Sequence, residues 1–217
     1  MATATATKQK RKQTKPLSRM ALKEARIAIA RDVLAQMRKD VFLPTTGNYC
    51  ELVLDKKYDW RSELVRFEEL QAKKDLQDVL QENLSQCSVC AKGALFVSAI
   101  LKYDNYPLRN DLLDASRTYF NNHDRVMKPL LRYFSRQQLD LIECAFERGR
   151  GGVIIFRGFN SNIRFRPNKD KELYYDAAAF GERYNDVDSR LRAIMNNIIR
   201  NEGEFIPPKR PKSWSAI

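Results

Sequence analysis

The stretch from Cys87 to Tyr103 constrains the fold of this 217-residue chain more than any other, because it is the least polar part of the sequence. Its uncharged run from Gly93 to Leu101 is roughly half the ~20 residues that a membrane-spanning helix needs. We therefore predict that Cys87–Tyr103 forms the central buried helix of a globular domain. The N-terminus carries no apolar segment of the signal-peptide kind, which predicts a cytoplasmic protein.

Apolar residues recur at spacings of three and four along several other segments, a pattern typical of amphipathic helices. The first such helix is expected to follow Ser18, as its N-cap, and to end near Lys39. Ser135 and Gln138 fit a capping box, in which each side chain accepts or donates a hydrogen bond across the first turn. The helix that Ser135 caps is expected to stop at Gly149. Further helices are predicted from about Trp60 to Leu84, over Leu112–Phe120, Val126–Phe134 and Lys169–Gly181, and after Asp186 or Asp188, either of which can cap the last one.

Short β elements complete the predicted fold. Tyr49–Leu54 alternates and is rich in β-prone residues, and Val153–Phe156 with Ile163–Phe165 is typical of a hairpin. The fold class is thus mainly α, a single compact helical domain with one or two short β elements and disordered basic termini. We divide the chain into a disordered basic N-terminal tail (1–16), a helical globular domain (17–206) and a basic C-terminal tail (207–217).

Positive charge is in excess and is unevenly placed. The chain has 39 Lys and Arg against 27 Asp and Glu, a formal net charge of +12. The excess gathers in the N-terminal tail and the C-terminal tail, and in the segment 148–166, which contains no acid. Such clustering is typical of a surface that binds a polyanion, although a basic tail can also serve solubility alone. The predicted contacts are Lys10, Arg11, Lys12, Arg148, Arg150, Arg157, Arg164 and Arg166.

The segment 148–166 also combines its arginines with glycine and phenylalanine. Arginine contacts phosphate through two parallel hydrogen bonds, and exposed rings stack on unpaired bases. Phe156, Phe159 and Phe165 can equally face the core while the arginines face outward, because alternate residues of a strand point to opposite sides. The segment lacks the Gly-Lys-Ser/Thr ending of a phosphate-binding loop, so it does not indicate nucleotide hydrolysis.

Four cysteines, of which Cys87 and Cys90 form a Cys-x-x-Cys pair, are candidates for metal or redox chemistry. A structural zinc site needs four ligands, commonly in two close pairs, and Cys50 and Cys144 each stand alone. Redox motifs of this spacing usually follow a strand, whereas we predict a helix before Cys87. We interpret all four as buried core side chains and predict no cofactor. Zinc ligation and redox activity remain the alternatives.

His123 is the single histidine of the chain, which excludes motifs that need two. It stands beside Asp124 in a stretch of turn composition, and no nucleophile or second acid–base partner is recognisable by spacing. We therefore predict that the protein is not an enzyme. The alternative is a cryptic enzyme that uses Cys87, Cys90 and His123.

Three stretches resemble a family of uncharacterised proteins found mainly in bacteriophages and prophages. They are Cys87–Phe96 (CSVCAKGALF), Tyr133–Glu147 (YFSRQQLDLIECAFE) and Arg190–Pro207 (RLRAIMNNIIRNEGEFIP). The resemblance implies a phage or mobile-element origin and a bacterial host cytoplasm, and it brings no catalytic residues. Small accessory proteins of that origin often block host machinery, CRISPR effectors among it, by binding.

Together these observations predict a non-enzymatic accessory protein whose basic surface binds nucleic acid, or a host complex that handles it, and inhibits host defence. No membrane partner is expected. The alternative functions are a protein–protein inhibitor that makes no nucleic-acid contact and a cysteine-ligated zinc domain or cryptic enzyme.

Overall fold

The computed structural model describes residues 17–47, 50–53, 86–103, 118–119, 123–147 and 169–213. The helices in these ranges are α1 (Arg19–Arg38), α2 (Ala91–Tyr103), α3 (His123–Leu130), α4 (Arg136–Phe146), α5 (Lys169–Glu182) and α6 (Val187–Arg200). The strands are β1 (Phe42–Pro44), β2 (Cys50–Val53), β3 (Gln86–Val89) and β4 (Thr118–Tyr119). The prediction of a mainly α-helical fold with short β elements is confirmed.

Helix α1 forms where the sequence predicts it. The Ser18 hydroxyl accepts a hydrogen bond from the Ala21 N–H at 3.2 Å, which caps the helix. The predicted apolar face is buried at Ala25, Ile29 and Val33 and packs against α2 and α6. Because α2 is buried along its first ten residues, from Ala91 to Ile100, these three helices form the centre of the core.

The predicted helix over Cys87–Tyr103 is wrong at its beginning. Gln86–Val89 is strand β3, and the helix begins only at Ala91. Cys87 and Val89 are buried while Gln86 and Ser88 are half-buried, which is the two-residue period of a strand. The strand is held by parallel pairing with β1 and antiparallel pairing with β2. Apolar content alone did not distinguish this strand from the helix that follows it.

The four strands form one mixed sheet in the order β1-β3-β2-β4. The strand predicted over Tyr49–Leu54 is confirmed as β2. The helix predicted over Leu112–Phe120 is wrong at Thr118–Tyr119, which pairs with β2 as β4. Helix α3 begins at His123, three residues before its predicted start, and ends at Leu130 with Pro129 inside it. The predicted hairpin, Val153–Phe156 with Ile163–Phe165, lies outside the described residues, as do the tail 1–16, the helical segment predicted from Trp60 to Leu84 and residues 112–117.

Helices α4 and α5 pack closely because Gly181 has no side chain. A Cβ atom at this position would lie 1.9 Å from the Ala145 carbonyl oxygen, so no other residue fits without moving a backbone. Ser135 caps α4 as predicted, accepting from the Gln138 N–H at 3.2 Å. The Gln138 side chain does not complete the predicted capping box. It bonds instead to the backbone of Phe205, far along the chain.

The C-terminal segment after α6 is part of the packed structure. Asp186 caps α6 as predicted, and Gly203 ends the helical turn with a φ of +91° that favours glycine. Phe205 is buried against Phe180, with their ring centroids 5.5 Å apart. The sequence placed residues from 207 onward in a tail, but Pro207 is buried and Arg210 is bonded to α5.

Candidate functional site

A groove of about 810 Å³ lies between α6, the chain after α5 and the C-terminal segment. Its lining combines three arginines with polar amides and a few apolar side chains. The residues are Phe180, Arg183, Tyr184, Ser189, Arg192, Ala193, Asn196, Asn197, Arg200, Asn201, Ile206 and Pro208. None of these lining residues is acidic. The groove is therefore a basic surface within the described part of the chain.

The polar face of α6 forms the floor of this groove. Arg192, Asn196 and Arg200 recur at intervals of four residues, so they lie along one side of the helix. The opposite side carries the apolar stripe, with Leu191, Ile194, Met195 and Ile198 buried in the core. The polar face is not among the contacts predicted from the sequence. Helical spacing, applied to the polar residues of this segment as well as to its apolar ones, predicts it.

The three groove arginines differ in their surroundings. Arg192 donates from Nε to Asp188 Oδ2 at 2.6 Å and from Nη2 to Oδ1 at 3.3 Å, and these hydrogen bonds raise its pKa. Arg183 and Arg200 are exposed, and within the described residues their guanidinium groups contact no carboxylate. Both lie at the C-terminal ends of helices, where the helix dipole also favours a cation. Two of the three cations are thus available to a ligand.

One wall of the groove is the C-terminal segment, which two side chains hold in place. Gln138 on α4 accepts from the Phe205 N–H at 2.6 Å and donates to its carbonyl at 3.2 Å. Asn197 on α6 does the same to Ile206, with both distances 2.8 Å. Ile206 is 51% exposed and borders the groove. The side-chain amides of Gln138 and Asn197 therefore hold the segment that forms the second side of the groove.

Two cations of the predicted C-terminal tail contact carboxylates of α5. Arg210 donates to Glu172 Oε2 at 2.7 Å and to Asp176 Oδ1 at 3.2 Å. Lys209 Nζ lies 3.2 Å from the other oxygen of Asp176, whose side chain is 2% exposed, while the Lys209 side chain itself stays 83% exposed. These contacts attach the segment to α5, and the charge of Arg210 is balanced by its two neighbouring carboxylates.

The arginines and lysines that the sequence predicts as contacts lie outside the described residues: Lys10, Arg11, Lys12, Arg148, Arg150, Arg157, Arg164 and Arg166. The point at which the segment 148–166 leaves α4 is described. Arg190 donates to the Phe146 carbonyl at 2.5 Å and to the Tyr184 carbonyl at 3.3 Å. Tyr184 lines the groove, so these two hydrogen bonds hold the end of α4 close to it. In the sequence, the predicted segment follows directly after α4.

The Cys-x-x-Cys pair is divided between two environments. Cys87 lies in β3 with its Sγ 2.9 Å from that of Cys50, whereas Cys90 accepts a hydrogen bond from the Gly93 N–H at the start of α2. Cys144 donates to the Tyr174 carbonyl at 3.4 Å. Burial raises the pKa of Cys90 and of Cys144 to about 12, so both thiols are neutral near pH 7.

All four cysteines are buried, and none of them forms a disulfide bond. Among the described residues, no group of three or more His, Cys, Asp or Glu side chains is placed to hold a metal ion. His123 is the first residue of α3. The chain thus contains cysteine and histidine, the residue types that bind zinc, but the described part of the chain does not bring enough of them together for a site.

A buried charged cluster joins α2 to α4. Lys92 Nζ is fully buried, lies 3.3 Å from Asp140 Oδ1 and also contacts Glu143 Oε2. A buried lysine beside carboxylates is a common feature of active sites. Here its complete burial keeps solvent and substrate from the amine, and two acids neutralise it. We interpret the cluster as an internal ion-pair network that fixes α2 against α4.

Comparison of the chain with family models, with curated proteins and with solved structures gives no match. The resemblance to phage and prophage proteins therefore stays a prediction from the sequence. Within the described residues, no helix is long and apolar enough to cross a membrane.

Proposed function

We propose that this chain is a non-enzymatic accessory protein that binds nucleic acid, or a host complex that handles it, through the basic groove and the basic segments beside it. The observation that carries the proposal is the lining of the groove: three arginines and no acid, with Arg183 and Arg200 facing no carboxylate among the described residues. An arginine-lined concave surface attracts the phosphates of a nucleic acid and releases their counterions on binding.

The other lining residues suit a nucleotide chain better than a lone anion. Asn196 is half-buried and presents an amide, which both donates and accepts hydrogen bonds. Asparagine contacts of this kind serve base edges and sugars, while arginines serve phosphates. The apolar side of the groove, at Ile206 and Pro208, offers contact area to a base or a sugar ring.

The predicted arginine segment extends this proposal. The hydrogen bonds of Arg190 hold the end of α4 beside Tyr184, and the segment 148–166 follows the end of α4 in the sequence. Its five arginines would add phosphate contacts beyond those of Arg183 and Arg200. The resemblance to phage and prophage proteins suggests that the target is a nucleic acid of the host or a defence complex that carries one.

The proposal is tested by fluorescence anisotropy with labelled single-stranded and duplex oligonucleotides. Arg183→Ala and Arg200→Ala should each weaken binding by about tenfold to a hundredfold, since a hydrogen bond to a charged group contributes about 1.5–3 kcal/mol. Each should also reduce the slope of log affinity against log salt by about 0.7–0.9. Arg31→Ala is the matched control, because Arg31 is an exposed arginine on α1 that does not line the groove.

Two results would contradict the proposal. Equal affinity of wild type and the Arg183→Ala/Arg200→Ala double variant would remove the groove from the interface. Capture of the same host partner from a nuclease-treated lysate, with undiminished yield, would favour a protein–protein inhibitor. A third variant, Arg150→Ala/Arg157→Ala/Arg164→Ala, measures the contribution of the predicted segment separately from that of the groove.

A further inference from the structure

Two cysteines of the central strand pair face each other inside the sheet. Cys50 of β2 and Cys87 of β3 are diagonal neighbours, because Cys50 pairs with Val89 and Cys87 pairs with Leu52. Both are completely buried, and their Sγ atoms lie 2.9 Å apart. Neither residue belongs to the basic groove.

The distance distinguishes between two kinds of sulfur chemistry. Two thiolates on one tetrahedral zinc ion, with Zn–S bonds of about 2.3 Å, have their sulfur atoms about 3.8 Å apart. Even carbon atoms in ordinary packing contact stay about 3.5–4.0 Å apart. A separation of 2.9 Å is shorter than both and is within about 1 Å of a disulfide bond, whose length is about 2.05 Å. The geometry is that of a reduced pair close to bonding.

We propose that Cys50 and Cys87 are a modification site, at which a peroxide or glutathione disulfide oxidises the two thiols to a cross-strand disulfide. With a peroxide, one thiol sulfur attacks the O–O bond and becomes a sulfenic acid as water leaves. The second sulfur then attacks the first, the S–S bond forms, the S–O bond breaks, and the departing hydroxide takes the second thiol proton as water. The two cysteines lose two electrons and the peroxide gains them.

The other cysteines do not compete for this bond. Cys90 follows the end of β3, and its sulfur accepts from the backbone of α2. Cys144 lies on α4 and donates to α5. The partner of Cys87 is thus Cys50, not the Cys90 that the Cys-x-x-Cys spacing suggests.

The disulfide would join the two inner strands of the sheet covalently. It would close a loop between residues 37 positions apart in sequence. Closing a loop of this length lowers the entropy of the unfolded chain and so stabilises the folded state. Oxidation should therefore make the sheet harder to unfold while leaving the groove residues unmodified.

The test begins with refolding of the wild-type protein in glutathione buffers of increasing oxidising strength, which removes any dependence on oxidant access to the buried pair. Free thiols are then alkylated and the peptides are mapped by mass spectrometry. We expect a Cys50–Cys87 peptide that lacks two hydrogen atoms, with Cys90 and Cys144 alkylated. We also expect a higher melting temperature for the oxidised protein.

A second arm treats the folded, reduced protein with hydrogen peroxide. Cys144→Ser should retain the linked peptide, whereas Cys50→Ser and Cys87→Ser should lose it. A Cys87–Cys90 bond, or four alkylated thiols in the most oxidising glutathione buffer, would overturn the proposal. So would a linked peptide that forms only in the refolding arm, because the oxidant then does not modify this pair in the folded protein.

Discussion

The cations at the C-terminal segment and those of the groove lie on the same few elements, yet they serve opposite purposes. Arg210 and Lys209 contact the buried carboxylate of Asp176 and attach the segment to α5. Arg183 and Arg200 contact no carboxylate among the described residues and line the groove. The net charge of +12 therefore does not say how much of the charge a ligand can reach. The charge that a ligand can reach depends on whether a carboxylate lies beside each cation.

The largest effect is expected where a cation is completely enclosed. Lys92→Met would leave Asp140 and Glu143 buried without their cation, and breaking a buried ion pair in this way costs about 3–5 kcal/mol. The free energy of unfolding from urea titration measures it. The triple variant Lys92→Met/Asp140→Asn/Glu143→Gln should regain part of the loss, because it removes the uncompensated charges. If the Lys92→Met protein is as stable as wild type, Lys92 does not stabilise the fold through its ion pairs with Asp140 and Glu143.

A smaller loss is expected at the attached C-terminal segment. Arg210→Ala would remove the side-chain hydrogen bond to Asp176, and a buried acceptor that loses its donor costs about 1–3 kcal/mol. The hydrogen bond from the backbone N–H of residue 210 to the same oxygen is kept, so the lower half of that range is expected. Lys212→Ala is the control: Lys212 is exposed, and its loss should change stability by less than about 0.5 kcal/mol.

One substitution would convert a groove arginine that is paired with a carboxylate into an unpaired one. Asp188→Asn removes the acid that holds Arg192, so the groove gains one positive charge. We expect tighter oligonucleotide binding and a salt slope that steepens by about 0.7–0.9, as for one added phosphate contact. The stability cost of losing an exposed i,i+4 pair is about 0.3–0.5 kcal/mol. Unchanged binding would show that Arg192 does not face the ligand.

The smallest effect concerns the cap of the groove helix. The Ser189 backbone N–H, at 2.7 Å, lowers the pKa of Asp186 below its ordinary value of 3.8. A lowered pKa means that the carboxylate stabilises α6 above the unfolded pKa and that this stability is lost as pH falls through the folded pKa. Asp186→Asn keeps a good capping side chain and should flatten the acid side of the stability profile. An unchanged profile below pH 4 would contradict this assignment.

The helices were predictable because their signals are local. Ser18, Ser135 and Asp186 each cap the helix that follows, and the apolar spacing of α1 and α6 marks the buried faces. The sheet was not predictable to the same extent, since β4 is two residues long and depends on pairing with β2 from far along the chain. Gln138 is a second example of a contact between residues far apart in sequence. Its side chain bonds to the backbone of Phe205 instead of completing the local capping box.

The groove could be predicted only in part. The positions of Arg192, Asn196 and Arg200 on one side of α6 follow from helical spacing. Arg183 joins them through the turn between α5 and α6, which Gly181 and its contact with Ala145 help to set. No local pattern brings Ile206 to the opposite wall, because its place depends on an amide of α6. The predicted segment 148–166 remains a prediction.

Ile206 and Pro208 follow every groove arginine in the sequence, which has a consequence during synthesis. A ribosome makes these residues after the arginines, so a nascent chain that stops before residue 205 carries the cations without the wall that faces them. On the proposed function, such a product would bind oligonucleotides only weakly.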